Sequence, residues 1–267
     1  MLLKYFAKAL LSNKRLWVLG IVQMGGWLCF IAAVGTGGTV IPANLLVPYA
    51  GVWYGYIALA SLSTLAVTIA GSILYSNASL AYGFRYTKLS PASYLSNMVV
   101  SAAVMGVALS ATLLVASYAV FSERFGTSLP PVDPAGAVLI AVLGGTFMLA
   151  FGMALALVVV NYAGMQSQGF LNFGPSMLAI VLGLSQALVA LPTALIYASP
   201  FNAIESLLFE AYGNIAPHAN LTDITSTSLQ WEYLLVTLVA WTVALIALDS
   251  MLLRRLKPRS IEEARPM

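Results

Sequence analysis

Few residues in this sequence of 267 could do chemistry, and their types narrow the choice. There is one histidine, His218, and one cysteine, Cys29. A catalytic metal needs several His, Cys or carboxylate ligands converging on one point, so no metal site is expected. A phosphate-binding loop joins glycine N–H groups to a lysine, as in G-x-x-x-x-G-K-[ST]. No such run occurs, so the chain is not expected to bind ATP by that route or to act as an enzyme. Serine chemistry would need a positioned base, and His218 reads as a solvated loop residue. Cys29 lies in an apolar run and offers no disulfide.

What remains is a sparse set of polar groups within apolar runs. Gln23, Asn97 and Gln186 either hydrogen-bond between helices or line a substrate path. Asp249 is the one acid inside a span. It lies about one turn from Arg254 and Arg255, and a structural pairing with a basic residue is favoured over a proton relay. Asn77-Ala78-Ser79 and Asn220-Leu221-Thr222 fit the glycosylation pattern, which is too common to assign a function.

The elements that hold these residues are membrane helices. At 60% apolar and 8% charged, with a mean hydropathy of +0.90, the chain cannot coat a soluble globule. No charge occurs between Arg15 and Arg85 or between Asp133 and Glu205, and each gap exceeds the ~20 residues of a single crossing. The expected fold is all-α, a single polytopic domain over 1–267. An amphipathic interfacial helix at 2–14 carries Lys4, Lys8 and Lys14 opposite Leu2, Leu3, Phe6 and Leu10. Spans are expected at 16–34, 49–74, 92–121, 137–160, 175–198 and 231–253. The first is too long for most signal-peptide cores and lacks a convincing small-x-small cleavage site. Trp53, Tyr54 and Tyr56 are expected at headgroup level. Ala102, Gly106 and Ser110 form a small-residue face for close helix contact.

Charge sets the orientation. With both termini cytoplasmic, every Lys and Arg except Arg124 lies inside, and the polar stretch 75–90 becomes the longest inner loop. Residues 35–48, 122–136, 161–174 and 212–230 connect the other spans, and the tail from Arg254 ends in water.

The fifth run is the unusual one. Pro192 lacks an N–H and clashes with the preceding turn, so the run breaks there, at the outer surface. Ser199-Pro200 then starts a return helix at about 200–212, with Phe201, Ile204, Leu207, Leu208 and Ala211 on one face and Glu205 and Glu210 toward water. The segment ALPTALIYASPFNAIESL resembles the fifth-helix region of the membrane subunits of ABC-2-type exporters, through Pro192, Pro200, Phe201, Ala203, Ile204, Glu205 and Leu207. KLSPASYL is similar to the Leu-x-(Thr/Ser)-Pro step of that family, although Asn77, Ala78 and Ser79 replace the glutamate and Gly-Thr pair often found before it.

The resemblance implies a permease subunit of the cell membrane that moves a hydrophobic or amphipathic substrate outward by alternating access. Its partners would be two nucleotide-binding ATPase subunits, which hold the ATP and Mg2+, a second permease subunit, identical or not, and lipid; nucleic acid is not expected. It implies an ATPase-coupling loop at Tyr82, Arg85, Tyr86, Lys88, Ser90 and Pro91, and an outer gate at Pro192, Pro200, Phe201 and Glu205. Spans two and five would border the path. Without the resemblance, two other classes stay open. A secondary transporter usually places ionisable groups near midplane, and a membrane scaffold needs no path.

Overall fold

In hydrocarbon every backbone N–H and C=O needs an internal partner, which a helix supplies within each segment. Among the described residues the computed structural model is all-helical, with six helical segments long and apolar enough to cross a membrane. The protein is therefore a polytopic helical membrane protein. The structure describes residues 2–34, 41–163, 168–223 and 225–256. Parts of the expected 35–48 and 161–174 connectors lie outside them, as does the tail with Lys257, Arg259 and Arg265.

Helix α1 (Leu2–Leu11) turns at Asn13, whose side chain accepts from the Arg15 N–H and caps α2 (Lys14–Trp17). Trp17 Nε1 donates to the Leu11 carbonyl at 2.7 Å and fixes the corner. A π-helical turn, Val18–Gln23, leads into α3 (Met24–Val34), completing the first crossing. The second is α4 (Leu46–Tyr86), an unbroken helix of 41 residues. The third is α5 (Pro91–Phe125), started by the Ser90 cap with Pro91 in its first turn and stopped by left-handed Gly126. The fourth is α6 (Pro134–Val158), capped by Asp133. Then come α7 (Gln168–Leu188), the short α8 (Thr193–Ala198), α9 (Pro200–Gly213) and the sixth crossing α10 (Trp231–Arg254).

Helix α4 is the hub. In its most apolar window 83% is buried, against 28% for the first and the sixth crossings, so those two lie at the periphery. Around α4 pack α5, α6, α7 and α9. Arg85, Arg254 and Arg255 line one pocket, and the Phe6, Tyr94 and Phe84 rings meet edge to face beside the α4–α5 turn. This basic end therefore gathers α1, the α4–α5 turn and the end of α10. Opposite lies the far end, where Arg124 Nε donates to the Ala32 carbonyl at 2.8 Å.

The structure moves three expected boundaries. The stretch 75–90 is not a loop: α4 runs on through Tyr86, because residues 75–86 contain no proline and Tyr75, Ser79, Tyr82 and Arg85 face outward from the helix end. Only 87–90 turn. The fifth crossing starts at Gln168, before Pro175, which it carries inside the helix, and it stops at Leu188 instead of 198. Tyr54, expected at headgroup level, is fully buried, and its hydroxyl shares a 2.7 Å hydrogen bond with Ser110 Oγ.

Small residues let these helices approach. A Cβ at Gly106 of α5 would stand 2.5 Å from the Ala141 carbonyl oxygen of α6. At Gly152 of α6 it would overlap the backbone of Ala66 in α4. Neither obstacle is a side-chain tip that could swing away. Gly152→Ala is expected to destabilise the protein by about 1–3 kcal/mol. Gly71→Ala, where a Cβ meets nothing within 4 Å, is expected to be neutral or to stabilise it by up to ~1 kcal/mol. Thermal unfolding of the two purified variants measures both.

Candidate functional site

Helix α7 ends at Leu188, so its last carbonyls lose their intrahelical donors. The far-end loop supplies others. Leu221 N–H donates to the Gln186 carbonyl at 3.1 Å, Thr222 Oγ1 to that of Ala187 at 2.9 Å and Asn220 Nδ2 to that of Leu188 at 3.5 Å. Leu191 N–H donates to the Ala219 carbonyl. Asn220, in one of the glycosylation patterns, thus has its amide turned inward, and Asn77, in the other, is buried. Pro192 holds the cap position before α8 and is exposed on the rim of this break.

Ser199 then caps α9, its Oγ accepting from the Asn202 N–H, and Pro200 follows in the first turn. The helix does not lie at the surface with its acids in water. Every residue of α9 except Glu210 is buried, because it turns inward among α4, α6, α7 and α10. Gly55 of α4 and Gly183 of α7 make room: a Cβ at Gly55 would come 2.8 Å from the Glu205 carbonyl oxygen, and one at Gly183 3.0 Å from Glu205 Oε2. At the far end Tyr212 donates from its hydroxyl to the Leu129 carbonyl at 2.9 Å, and Val132 and Asp133 N–H groups donate to the carbonyls of Tyr212 and Ala211. Helix α9 is held at both ends.

Glu205 is therefore inside the protein, with no exposed surface and no hydrogen-bond partner for either oxygen among the described residues. Burial pushes its carboxyl well above the usual carboxylate range. Glu210, half-buried at the rim, moves the same way through burial and the nearby charge of Glu232. Asp249 is also fully buried. The expected pairing with a basic residue is absent: neither of its oxygens has a hydrogen-bond partner, and no ion pair reaches it among the described residues.

The three polar residues proposed for a path part company. Gln186 belongs to a buried α7–α9 network: its Nε2 donates to Ser206 Oγ at 2.7 Å and to the His218 carbonyl at 3.2 Å, and its Oε1 accepts from Asn202 Nδ2 at 2.9 Å. These bonds tie α7 to α9 and to the 217–229 loop. Asn97 donates to the Ser93 carbonyl one turn back in its own helix, toward the basic end. Gln23 lines a cavity. It closes the π-helical turn of the first crossing and faces a space of 370 Å³ between that crossing, α4 and α7, walled by Trp27, Trp53, Tyr56, Ile180 and Leu184. His218 is half-buried instead of solvated, and its carbonyl serves Gln186.

At the basic end Tyr82, Arg85, Tyr86, Lys88 and Ser90 are exposed and Pro91 half-buried. The Tyr82 and Tyr86 rings stack at 6.1 Å. Thr87 closes the helix by donating to the Gly83 carbonyl from both N–H and hydroxyl, and Leu89 N–H donates to Thr87 Oγ1 at 3.1 Å. The six residues are thus a helix tip and a built turn. Among the described residues no group of three or more His, Cys, Asp or Glu could hold a metal ion.

Sequence reasoning missed the burial of Glu205 and the partners Asn202 and Ser206. The signal was present in part, since Asn202 and Ser206 are four residues apart and share a face. No protein-family model matches the chain, and no curated protein matches it in sequence.

The raised Glu205 carboxyl makes the folded state the better proton binder. Its stabilising effect is complete below the pH at which an unfolded glutamate titrates, ~4.3, and is lost as pH rises through the raised folded value. Melting temperature is therefore expected to fall with rising pH, and Glu205→Gln to make that decline shallower. Unfolding scans of wild type and variant across pH measure it.

Proposed function

We propose that the protein is the membrane-spanning subunit of an ATP-driven exporter, powered by separate nucleotide-binding subunits that hold the ATP and Mg2+. In this proposal both termini are cytoplasmic, the basic end meets the ATPases, and a second permease subunit completes the complex in the cell membrane. The observation that carries the proposal is the continuity of α4. One helix exposes Tyr82, Arg85 and Tyr86 at its basic tip and seats α9 through Gly55 toward the far end. At ~1.5 Å per residue its 41 residues span about 60 Å, twice a ~30 Å hydrocarbon core. Such a helix can carry a push at one surface to the re-entrant segment near the other. The likeness of the 192–207 segment and of the Ser90-Pro91 step to ABC-2-type exporters supports the same assignment.

The path for a hydrophobic or amphipathic substrate is assigned to the cavity beside α4 and α7, with Pro192, Pro200, Phe201 and Glu205 as the gate. Phe201 meets Phe147 and Phe151 of α6 edge to face at 5.5 and 5.4 Å, so a movement of α9 must repack α6.

A second assignment has an observation of its own. Two buried carboxyls without partners, Glu205 and Asp249, are the kind of intramembrane group an ion-coupled transporter uses. The discriminating experiment is co-purification. An ATPase recovered with the tagged chain, with turnover that responds to the subunit, supports the exporter; transport without one supports ion coupling.

Arg85→Glu with Lys88→Glu is expected to cut ATPase recovery about tenfold, equivalent to ~1.4 kcal/mol, while membrane insertion is unchanged. Undiminished recovery removes the docking role. Pro192→Ala is expected to slow transport several-fold in vesicles and to leave complex assembly intact; equal transport removes the gate.

A further inference from the structure

Tyr56 borders both the cavity beside α4 and the seam that holds the buried carboxyl of α9. Trp27, Trp53 and Tyr56 give the cavity three aromatic rings, and Ile180 and Leu184 give it an aliphatic wall. Between those two wall residues, Gly183 has no side chain. The point where its Cβ would sit is 3.0 Å from Glu205 Oε2, 3.1 Å from the Leu59 side chain and 3.2 Å from the Tyr56 ring. The carboxyl, which has no exposed surface, thus lies in the α4–α7 seam behind Tyr56, one ring away from the cavity that Tyr56 lines. It has no hydrogen-bond donor and no cation of its own there among the described residues.

We propose that this cavity binds a lipophilic organic cation, with its apolar body against Trp27, Trp53 and Tyr56 and its charge answered by Glu205. Aromatic faces attract a cation through their quadrupoles, and do so more strongly where water is excluded. A buried carboxylate is costly alone and far less so beside an opposite charge. A ligand that brings both an apolar surface and a positive charge meets both unmet needs of the site, whereas a neutral one leaves the carboxyl unpaired and an anion opposes it. Trp27 is 51% exposed, so the cavity borders the apolar outside of the bundle, the side from which a lipid-soluble cation arrives. This inference rests on the transport assignment above and names its substrate class.

The test uses the full chain in phosphatidylcholine nanodiscs and two probes of the same shape and opposite charge, tetraphenylphosphonium and tetraphenylborate, by equilibrium dialysis against empty discs. Saturable tetraphenylphosphonium binding is expected in the wild type, weakened about tenfold by Glu205→Gln and about fivefold by Trp27→Ala. Tetraphenylborate is expected to show no saturable binding beyond that of empty discs. Trp27→Ala changes an exposed side chain and keeps the test open if the Glu205 variant does not fold. Equal phosphonium affinity in wild type and either folded variant overturns the proposal, as does saturable borate binding or no phosphonium binding above empty discs. Failure here alongside an ATPase that responds to the subunit leaves the exporter assignment standing. Phosphonium binding without any such ATPase keeps the cation site and removes the exporter.

Discussion

A helix that stops inside a membrane protein leaves carbonyls that hydrocarbon cannot satisfy, and the far half of this structure is arranged around that constraint. Helix α7 ends at Leu188, and the carbonyls of Gln186, Ala187 and Leu188 are taken up by donors from residues 220–222. Those donors are in place because the 217–229 loop is folded on itself, with Leu229 N–H donating to the Pro217 carbonyl at 2.7 Å and Ala219 N–H to that of Thr227 at 2.9 Å. With α7 shortened, α9 can turn inward. Two of its polar side chains, Asn202 and Ser206, then find a partner in Gln186, and the Asn202 N–H is capped by Ser199.

The inward turn of α9 depends in turn on how closely the neighbouring helices approach. Glycines at 55 and 183 remove the side chains that would stand where the α9 backbone and the Glu205 carboxyl now are. The same device at Gly106 and Gly152 brings α5 and α6, then α6 and α4, into backbone contact. Without a hydrophobic force between helices in lipid, such close packing and the hydrogen bonds it allows are what hold a bundle together. A carboxyl buried without a partner works against that stability, and Glu205 stays buried because α9 is fixed near its start by the bonds of Asn202 to Leu182 and Gln186 and at its other end by those of Tyr212, Val132 and Asp133. Groups retained at such cost inside a membrane are the natural place to look for function.

Much of this was legible in residue order. The charge-free stretches call for several crossings, Ser90-Pro91 and Ser199-Pro200 mark the starts of α5 and α9, and the small face at Ala102, Gly106 and Ser110 does lie buried in the bundle. The length of α4 was not legible, because polar residues at 75–86 read equally as a loop or as a helix leaving the membrane, and polarity alone does not break a helix. Glu205 was misplaced for a related reason. A helical period tells which residues share a face but not whether that face meets water, and α9 is covered on nearly all of its faces.

Local rules and solvent preference act through neighbours in sequence, so composition and spacing by themselves determined an all-helical membrane protein, its capped helix starts and the interruption after the fifth run. Which of two hydrogen-bonding partners a buried amide takes, and whether an acid ends in water or behind an aromatic ring, depend on helices far apart in the chain. Only the tertiary structure decided that Gln186 braces α9, that Gln23 faces a cavity, and that the carboxyls of Glu205 and Asp249 are buried with no hydrogen-bond partner among the described residues. The physical reason is that burial belongs to the packed assembly of α4, α6, α7 and α9, and a residue's own segment does not contain it.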